Sequence, residues 1–333
     1  MVHAVVPYGV SNSSVRTRIV HWFDRTGAGI VHGPGFNSSS VPVGEPTILL
    51  RNVGRFTRGR VEQSLLREAS LGIYELDDGL PWDDGTLPGL GRWYKRPWPR
   101  SVMADRAARG ADRMIVGNQL LADWAAQRCD DVRIIPTCVE PADYVRKVDL
   151  QVSDRPTIGW IGSRATEPYL QSIGLALAEM HRRHGAVVEM ISHAGPVPNE
   201  LAGFTTLIPW SESLATTRLA TWDIGVMPLI DGVYERAKCG YKLLQYAAAG
   251  LPSIGSPIGV NRSILQAMDA PMPTTADEWV DALDVMLAEG ADRRSTRAQA
   301  SIRVADSFSY DQWEPAWRSA VGLDQQGSCA LSM

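Results

Sequence analysis

Lys238 and Lys242 flank Gly240 in the stretch ERAKCGYKLLQYAAAGLP (235–252). The apolar run before it, DIGVMPL (223–229), reads as a buried strand, and the chain after Gly240 reads as a helix start. In a parallel sheet, ligands sit beyond the carboxyl ends of strands. A helix N-terminus placed there offers N–H groups and a positive dipole end to a phosphate. Gly240 allows close backbone approach, and Lys238 and Lys242 add charge for a diphosphate. Solvated lysines at an ordinary helix start are the alternative.

Three other stretches carry reactive or charged groups. GVSNSSVRTRIVHW (9–22) places Gly9 and Ser13 before a helix bearing Arg16 and Arg18, suited to a phosphate or another polar substrate group. A helix cap by Ser or Asn explains its small residues equally well. LGIYELDD (71–78) ends in Asp77 and Asp78 at the carboxyl end of a strand. Adjacent residues of a strand point to opposite faces. One carboxylate therefore faces the site, placed to bind or deprotonate a substrate hydroxyl, with Asp78 the better choice. The other caps a turn. Arg58 and Arg60 form either a basic face for anionic lipid or a phosphorylated acceptor, or a solvated helix start, which is the simpler reading.

The elements that must position these residues follow from rhythm. Short apolar runs at 3–9, 27–33, 47–53, 71–78, 113–118 and 132–139 alternate with helical patterns such as 60–69 and 118–128. The second half repeats this with runs at 156–163, 186–195, 204–210, 223–229 and 251–256 and helical patterns at 167–185 and 276–290. Strands that are apolar nearly throughout indicate parallel sheets covered on both faces. The reading is α/β, with two doubly wound Rossmann-like domains facing across a cleft. The boundary falls in the charged stretch 145–155. YDQWEPAWRSAV (310–321) reads as a final helix, and 324–333 as a frayed tail.

Composition removes several classes. The net charge is −4 and differs by half, with 19 Lys+Arg against 17 Asp+Glu in residues 1–150 and 14 against 20 afterwards. That balance speaks against a nucleic-acid binder. Four widely spaced cysteines form no CxxC pair, so reduced thiols and a cytoplasmic protein are expected. Neither a signal peptide nor an apolar stretch of membrane-spanning length is visible. GxxxxGK[ST], GxGxxG and GxSxG are all absent. His181 and His184 share a helix face, but no third ligand is spaced to join them into a metal site.

YERAKCGYKLLQYAAAGLPSIGSPIGVN (234–261) resembles the donor-site segment of the family-4 retaining glycosyltransferases, which have the GT-B fold. That family carries Glu-x7-Glu across a Phe-Gly pair, then Ala-x-x-x-Gly-x-Pro. Aligning the glycines puts Gln245 at the second Glu and Ala237 at the first, so both acids are missing. The wording Lys-Cys-Gly-x-Lys-Leu-Leu-Gln is similar to a bacterial subgroup. The resemblance implies a ribose contact for Gln245, which a carboxamide can make. It leaves open what grips the donor sugar in place of Ala237, with Glu235 close by. Cys239 and Tyr241 fall inside the same donor segment. TIGWIGSRATEPYL (157–170) resembles the first strand and loop of the donor domain, which implies that Gly162, Ser163 and Arg164 lie at the diphosphate. GNQLLADW (117–124) and PTCVEPADY (136–144) resemble the same subgroup and imply that Asn118 and Glu140 lie near the cleft.

The implied domains are 1–150 on the acceptor side, with a C-terminal helix 308–325 packing back on it, 151–307 as the donor domain, and a tail at 326–333. The implied reaction moves a sugar from a nucleoside-diphosphate sugar to an acceptor hydroxyl of a small molecule or glycan. It retains configuration and uses no metal or cofactor. Implied partners are the nucleotide sugar and the acceptor, with no nucleic acid and with peripheral membrane contact open. A nucleotide-sugar 2-epimerase on the same fold and a non-catalytic nucleotide-sugar binder are the alternatives.

Overall fold

Val2, Ala4, Ile48, Leu50, Ile73 and Ile115 are buried in one cluster, whereas Val5, Leu49, Tyr74, Leu76, Met114 and Val116 are buried in another. Such alternation along apolar strands means that both faces of a sheet are covered. In the computed structural model of the chain, these residues belong to a six-stranded parallel sheet. The structure describes residues 1–36, 40–54, 57–83, 99–193, 197 and 199–324. The tail expected at 326–333, residue 325 of the helix expected at 308–325, and Ala194 and Gly195 of the run 186–195 lie outside the described residues.

The chain divides into two compact units. Unit 1 comprises Met1–Cys138, Arg236–Cys239 and the stretch beginning at Tyr310. Unit 2 comprises Val139–Glu235 and Gly240–Ser309. The strands of unit 1 are β1 (Val2–Val5), β2 (Gly29–His32), β3 (Thr47–Leu50), β4 (Gly72–Leu76), β5 (Arg113–Val116) and β6 (Val132–Ile134), in the order β2-β1-β3-β4-β5-β6. The strands of unit 2 are β7 (Thr157–Ile161), β8 (Val187–Ser192), β9 (Thr205–Pro209), β10 (Ile224–Met227) and β11 (Ser253–Gly255), in the order β11-β10-β7-β8-β9. All pairings are parallel, so each unit is a Rossmann-like doubly wound sheet.

Strand order locates the crevices. A doubly wound sheet opens at its carboxyl edge where the order reverses. That point lies between β1 and β3 in unit 1 and between β7 and β10 in unit 2.

One helical reading changes. The pattern 167–185 is not one helix but Glu167–Gln171 and Gly174–His184. Ser172 Oγ donates to Tyr169 O at 2.6 Å, the kind of local side-chain bond that competes with helix continuation. The helix Tyr310–Ala320 packs into unit 1, where Trp317 stacks on Trp22 at 5.3 Å and Tyr310 Oη donates to Thr17 O at 2.9 Å.

Candidate functional site

At the β7/β10 crevice of unit 2, β7 runs out into Gly162, Ser163 and Arg164. Ser163 N donates to Thr166 Oγ1 at 3.1 Å, which closes a tight turn over Arg164–Thr166 and leaves Arg164 exposed. A Cβ on Gly162 would sit 2.4 Å from the Trp160 ring and 2.7 Å from Thr166 Oγ1. No other residue fits that bend without moving Trp160.

On the other side of the crevice, β10 leads into the short helix Val233–Arg236 and then the helix Tyr241–Ala248. Gly240 is the N-cap, with φ 70° and no side-chain cap on the helix. Lys242, in the first turn, carries its ammonium over the buried Trp160 ring of β7, 5.6 Å from the centroid. The lysine thus reaches from the β10 side to the β7 side. Tyr169 Oη donates to Glu235 Oε1 at 2.5 Å, a second tie across the same crevice. Gln245 is buried at 6% exposure, and its amide donates to Tyr144 Oη at 3.2 Å. Gly162, Ser163, Arg164, Glu235, Gly240, Tyr241, Lys242 and Gln245 therefore belong to one unit, around one switch point.

Lys238 and Cys239 have a different address. The segment Arg236–Cys239 is part of unit 1, and Ala237 is fully buried in the cluster that covers one face of its sheet. An acid at that position would face apolar side chains, so the motif acid has no place there. Lys238 Nζ lies 3.5 Å from Asp78 Oδ1. Cys239 Sγ donates to Asp77 O at 3.3 Å. Burial, with Asp77 next in weight, pushes the Cys239 thiol up to about 12. Asn118 Nδ2 donates to Ala237 O at 2.7 Å, while Asn118 Oδ1 accepts from Leu121 N at 3.0 Å and caps the helix Gln119–Ala125.

The carboxyl edge of unit 1 gathers the two aspartates. Arg51 Nε donates to Asp77 Oδ1 at 2.6 Å, and Arg51 Nη2 lies 3.5 Å from Asp78 Oδ2. Both carboxylates thus share one guanidinium. The expectation that they point apart fails because β4 ends at Leu76, so strand alternation no longer governs the next two residues. Asp78 also accepts from Gly79 N at 2.9 Å.

The helix after β1 starts at Ser13. Its cap is Asn12, whose Oδ1 accepts from Ser14 N at 3.1 Å, and Asn12 N donates to Gly9 O. Arg16 is half-buried in a π-helical turn, Arg16–Val20. Arg18, in the same turn, is fully buried and pairs with Glu75 at 2.5 Å. Burial raises Glu75 to about 7 against the pull of Arg18. Glu140 precedes a short turn, Pro141–Asp143, in unit 2.

Two residues escaped the sequence reading. Arg51 joins Asp77 and Asp78 and also donates to Ser14 Oγ at 2.9 Å, so from the loop after β3 it touches the loop after β4 and the helix that follows β1. It stands at φ 56°, a left-handed backbone that a non-glycine residue rarely adopts. A lone arginine directly after the apolar run TILL was the available signal. Asn261 is wholly buried, and its Oδ1 has no partner among the described residues. That oxygen lies 3.3 Å from where a Gly240 Cβ would stand. No group of three or more metal-ligating side chains occurs among the described residues.

No family model matches the sequence. No curated protein matches it either. Solved structures do. WaaG, a glycosyltransferase involved in lipopolysaccharide biosynthesis, aligns with a TM-score of 0.67 at 12% identity, over 96% of this chain and 98% of that one. The pneumococcal O-GlcNAc transferase GtfA, in complex with UDP and GlcNAc, aligns with a TM-score of 0.60 at 14% identity, over 86% of this chain. The chain spans 58% of that protein's length. The N-terminal domain of the Candida albicans trehalose-6-phosphate phosphatase aligns with a TM-score of 0.60 at 10% identity, over 97% of this chain and 96% of that one. The chain therefore has the α/β fold of GT-B glycosyltransferases, with two Rossmann-like units. At such identities the likeness carries the fold alone, because one fold hosts many activities.

Proposed function

We propose that the chain is a glycosyltransferase that takes a sugar from a nucleoside-diphosphate sugar and passes it to an acceptor hydroxyl. One observation carries this reading. Lys242, the Gly240 helix start and the Gly162–Arg164 turn converge on the β7/β10 switch point of unit 2. A left-handed glycine at a helix N-terminus, with cationic side chains around it, is a site for an anion. Lys242, Arg164 and the helix start offset the charge of a departing diphosphate.

The resemblance to family 4 supplies the finer terms of the proposal: retention of configuration, no metal, and a donor bound by unit 2. Gln245, oriented by Tyr144, faces the ribose side. Glu235, held by Tyr169, takes the sugar contact that Ala237 cannot make. The acceptor hydroxyl belongs with Asp78 in unit 1, with Arg51 and Lys238 holding the carboxylate. Gly9, Ser13 and Arg16 stand on the same acceptor side.

Thermal shift with UDP-, GDP-, ADP- and dTDP-sugars tests the reading. A ligand that binds only the native state adds about 2.7 kcal/mol at a hundred times its Kd, so at least one donor should raise Tm by several degrees. No shift with any of them at millimolar concentration would overturn the donor site. A donor that binds but is neither transferred to an acceptor nor epimerised would leave a binding protein instead of an enzyme.

A further inference from the structure

Past the ends of β8 and β9, two rings stand side by side. Ser192 ends β8 opposite Pro209 of β9. The residues that follow, His193 and Trp210, have ring centroids 6.1 Å apart at an interplanar angle of 51°. Trp210 N donates to Ser192 O at 2.9 Å, which holds the two backbones together at this point. His193 is exposed and Trp210 half-buried. Trp210 packs against the core cluster that also contains Leu243 and Leu244 of the helix Tyr241–Ala248, so it lies on that helix's side of the sheet.

The distance from the anion site can be counted in strands. Given the order β10-β7-β8-β9, the ring pair stands two strand spacings, about 10 Å, from the β7/β10 switch point. A nucleoside diphosphate with its phosphates at the switch point spans that interval with its ribose and brings its base to the rings. Every base has a face that stacks on an aromatic ring, so the rings hold a base without choosing it.

The choice falls to a carboxylate. Glu167 is the first residue of the helix Glu167–Gln171, and its Oε1 accepts from Ser192 Oγ at 2.8 Å. Ser192 is wholly buried, so this bond fixes the carboxylate at the end of β8, next to His193. Glu167 is half-buried, and its Oε2 makes no bond among the described residues. We propose that Glu167 selects guanine, which makes the donor a GDP-sugar; the inference rests on the donor site read above for unit 2. A carboxylate only accepts hydrogen bonds. Guanine offers it two donors side by side, N1–H and the N2 amine. Uracil and thymine offer one N–H between two carbonyl oxygens. Adenine and cytosine pair an amine with a bare ring nitrogen. Each of these four sets an acceptor against the carboxylate, and a site built around hydrogen bonds strongly rejects an analogue that cannot make them.

Calorimetry of the full chain with GDP, IDP, UDP, ADP and dTDP tests the assignment. GDP should bind at least about tenfold more tightly than each of the others. IDP differs from GDP by the N2 amine alone, so the gap between these two reads that contact. Glu167→Gln should weaken GDP roughly tenfold or more, narrow the gap to IDP and leave UDP unchanged. Trp210→Ala should instead weaken every nucleotide by a similar factor, about 5- to 100-fold. Equal or tighter binding of UDP, ADP or dTDP than of GDP overturns the proposal and leaves the donor site standing. A lower Tm in Glu167→Gln with an unchanged ranking of bases makes Glu167 a tie between its helix and β8, and the proposal falls. Unchanged affinities in Trp210→Ala place the base elsewhere, with the same consequence. If no nucleotide binds the unsubstituted chain, the donor site itself fails and the choice of base falls with it.

Discussion

Lys242 is the residue on which the donor site turns. Its ammonium sits over Trp160, so it is already aimed across the crevice before any ligand arrives. A charge-assisted bond to phosphate contributes about 1.5–3 kcal/mol. Lys242→Ala should therefore weaken nucleoside-diphosphate binding roughly 10- to 100-fold by calorimetry, with the fold intact. Lys238→Ala should change that affinity far less, because Lys238 lies against Asp78. Equal losses in the two variants would return Lys238 to the diphosphate. Glu75 supplies a second residue-scale test. Its folded pKa of about 7 exceeds the ordinary value of 4.5. The folded state then holds a proton that the unfolded chain releases between those values, so stability falls as pH rises through that window. The loss is on the order of 1–3 kcal/mol. Glu75→Gln should lack it. Urea midpoints for both proteins at pH 5 and pH 8 decide the matter, and a constant difference between them would show an ordinary carboxylate.

At the scale of elements, Gly240 meets two demands at once. Its φ of 70° disfavours any side chain, and a Cβ there would stand 2.6 Å from Ile264 Cδ1. Gly240→Ala should cost about 2–4 kcal/mol in urea unfolding from backbone strain plus overpacking. Adding Ile264→Val should return part of that. Strict additivity of the two changes would mean that the contact with Ile264 is not what forbids the methyl. This glycine was readable in the sequence, as were the eleven strands of the described residues, because runs such as TILL, RMIV and IGVM are apolar on both faces. The helix Ala291–Ser307 was not. Its buried face is built from Ala298, Ser301, Val304, Ala305 and two arginines, without the leucine stripe that betrays an amphipathic helix. Arg294 is wholly buried and donates to Leu150 O and Asp223 O at 2.7 Å each. Charge in the sequence concealed burial in the fold. The same blindness hid Arg51, whose role depends on two loops and a helix start meeting that are far apart in the chain.

At the scale of the molecule, the chain passes between its two units four times, and the passages after Glu235 and before Gly240 lie inside the motif itself. The residues read as one phosphate-binding run therefore serve two cores. Ala237 and Cys239 belong to the interior of unit 1, and Gly240 and Lys242 to the crevice of unit 2. Asn118 is the fastening, since one amide holds Ala237 O and caps a helix. The two roles separate by substitution. Asn118→Ser keeps a cap and loses the bond to Ala237 O, so it should cost about 1–3 kcal/mol for an acceptor left buried and unpaired. Asn118→Ala loses the cap too and should cost about 1 kcal/mol more. Urea unfolding measures both. If the hold on Ala237 fixes the start of the helix that carries Lys242, both variants should also bind nucleoside diphosphate more weakly, and by equal amounts, because only the lost bond to Ala237 O is common to them. Equal affinity in both variants and the unsubstituted chain would show that unit 2 shapes its anion site without help from the segment stapled into unit 1.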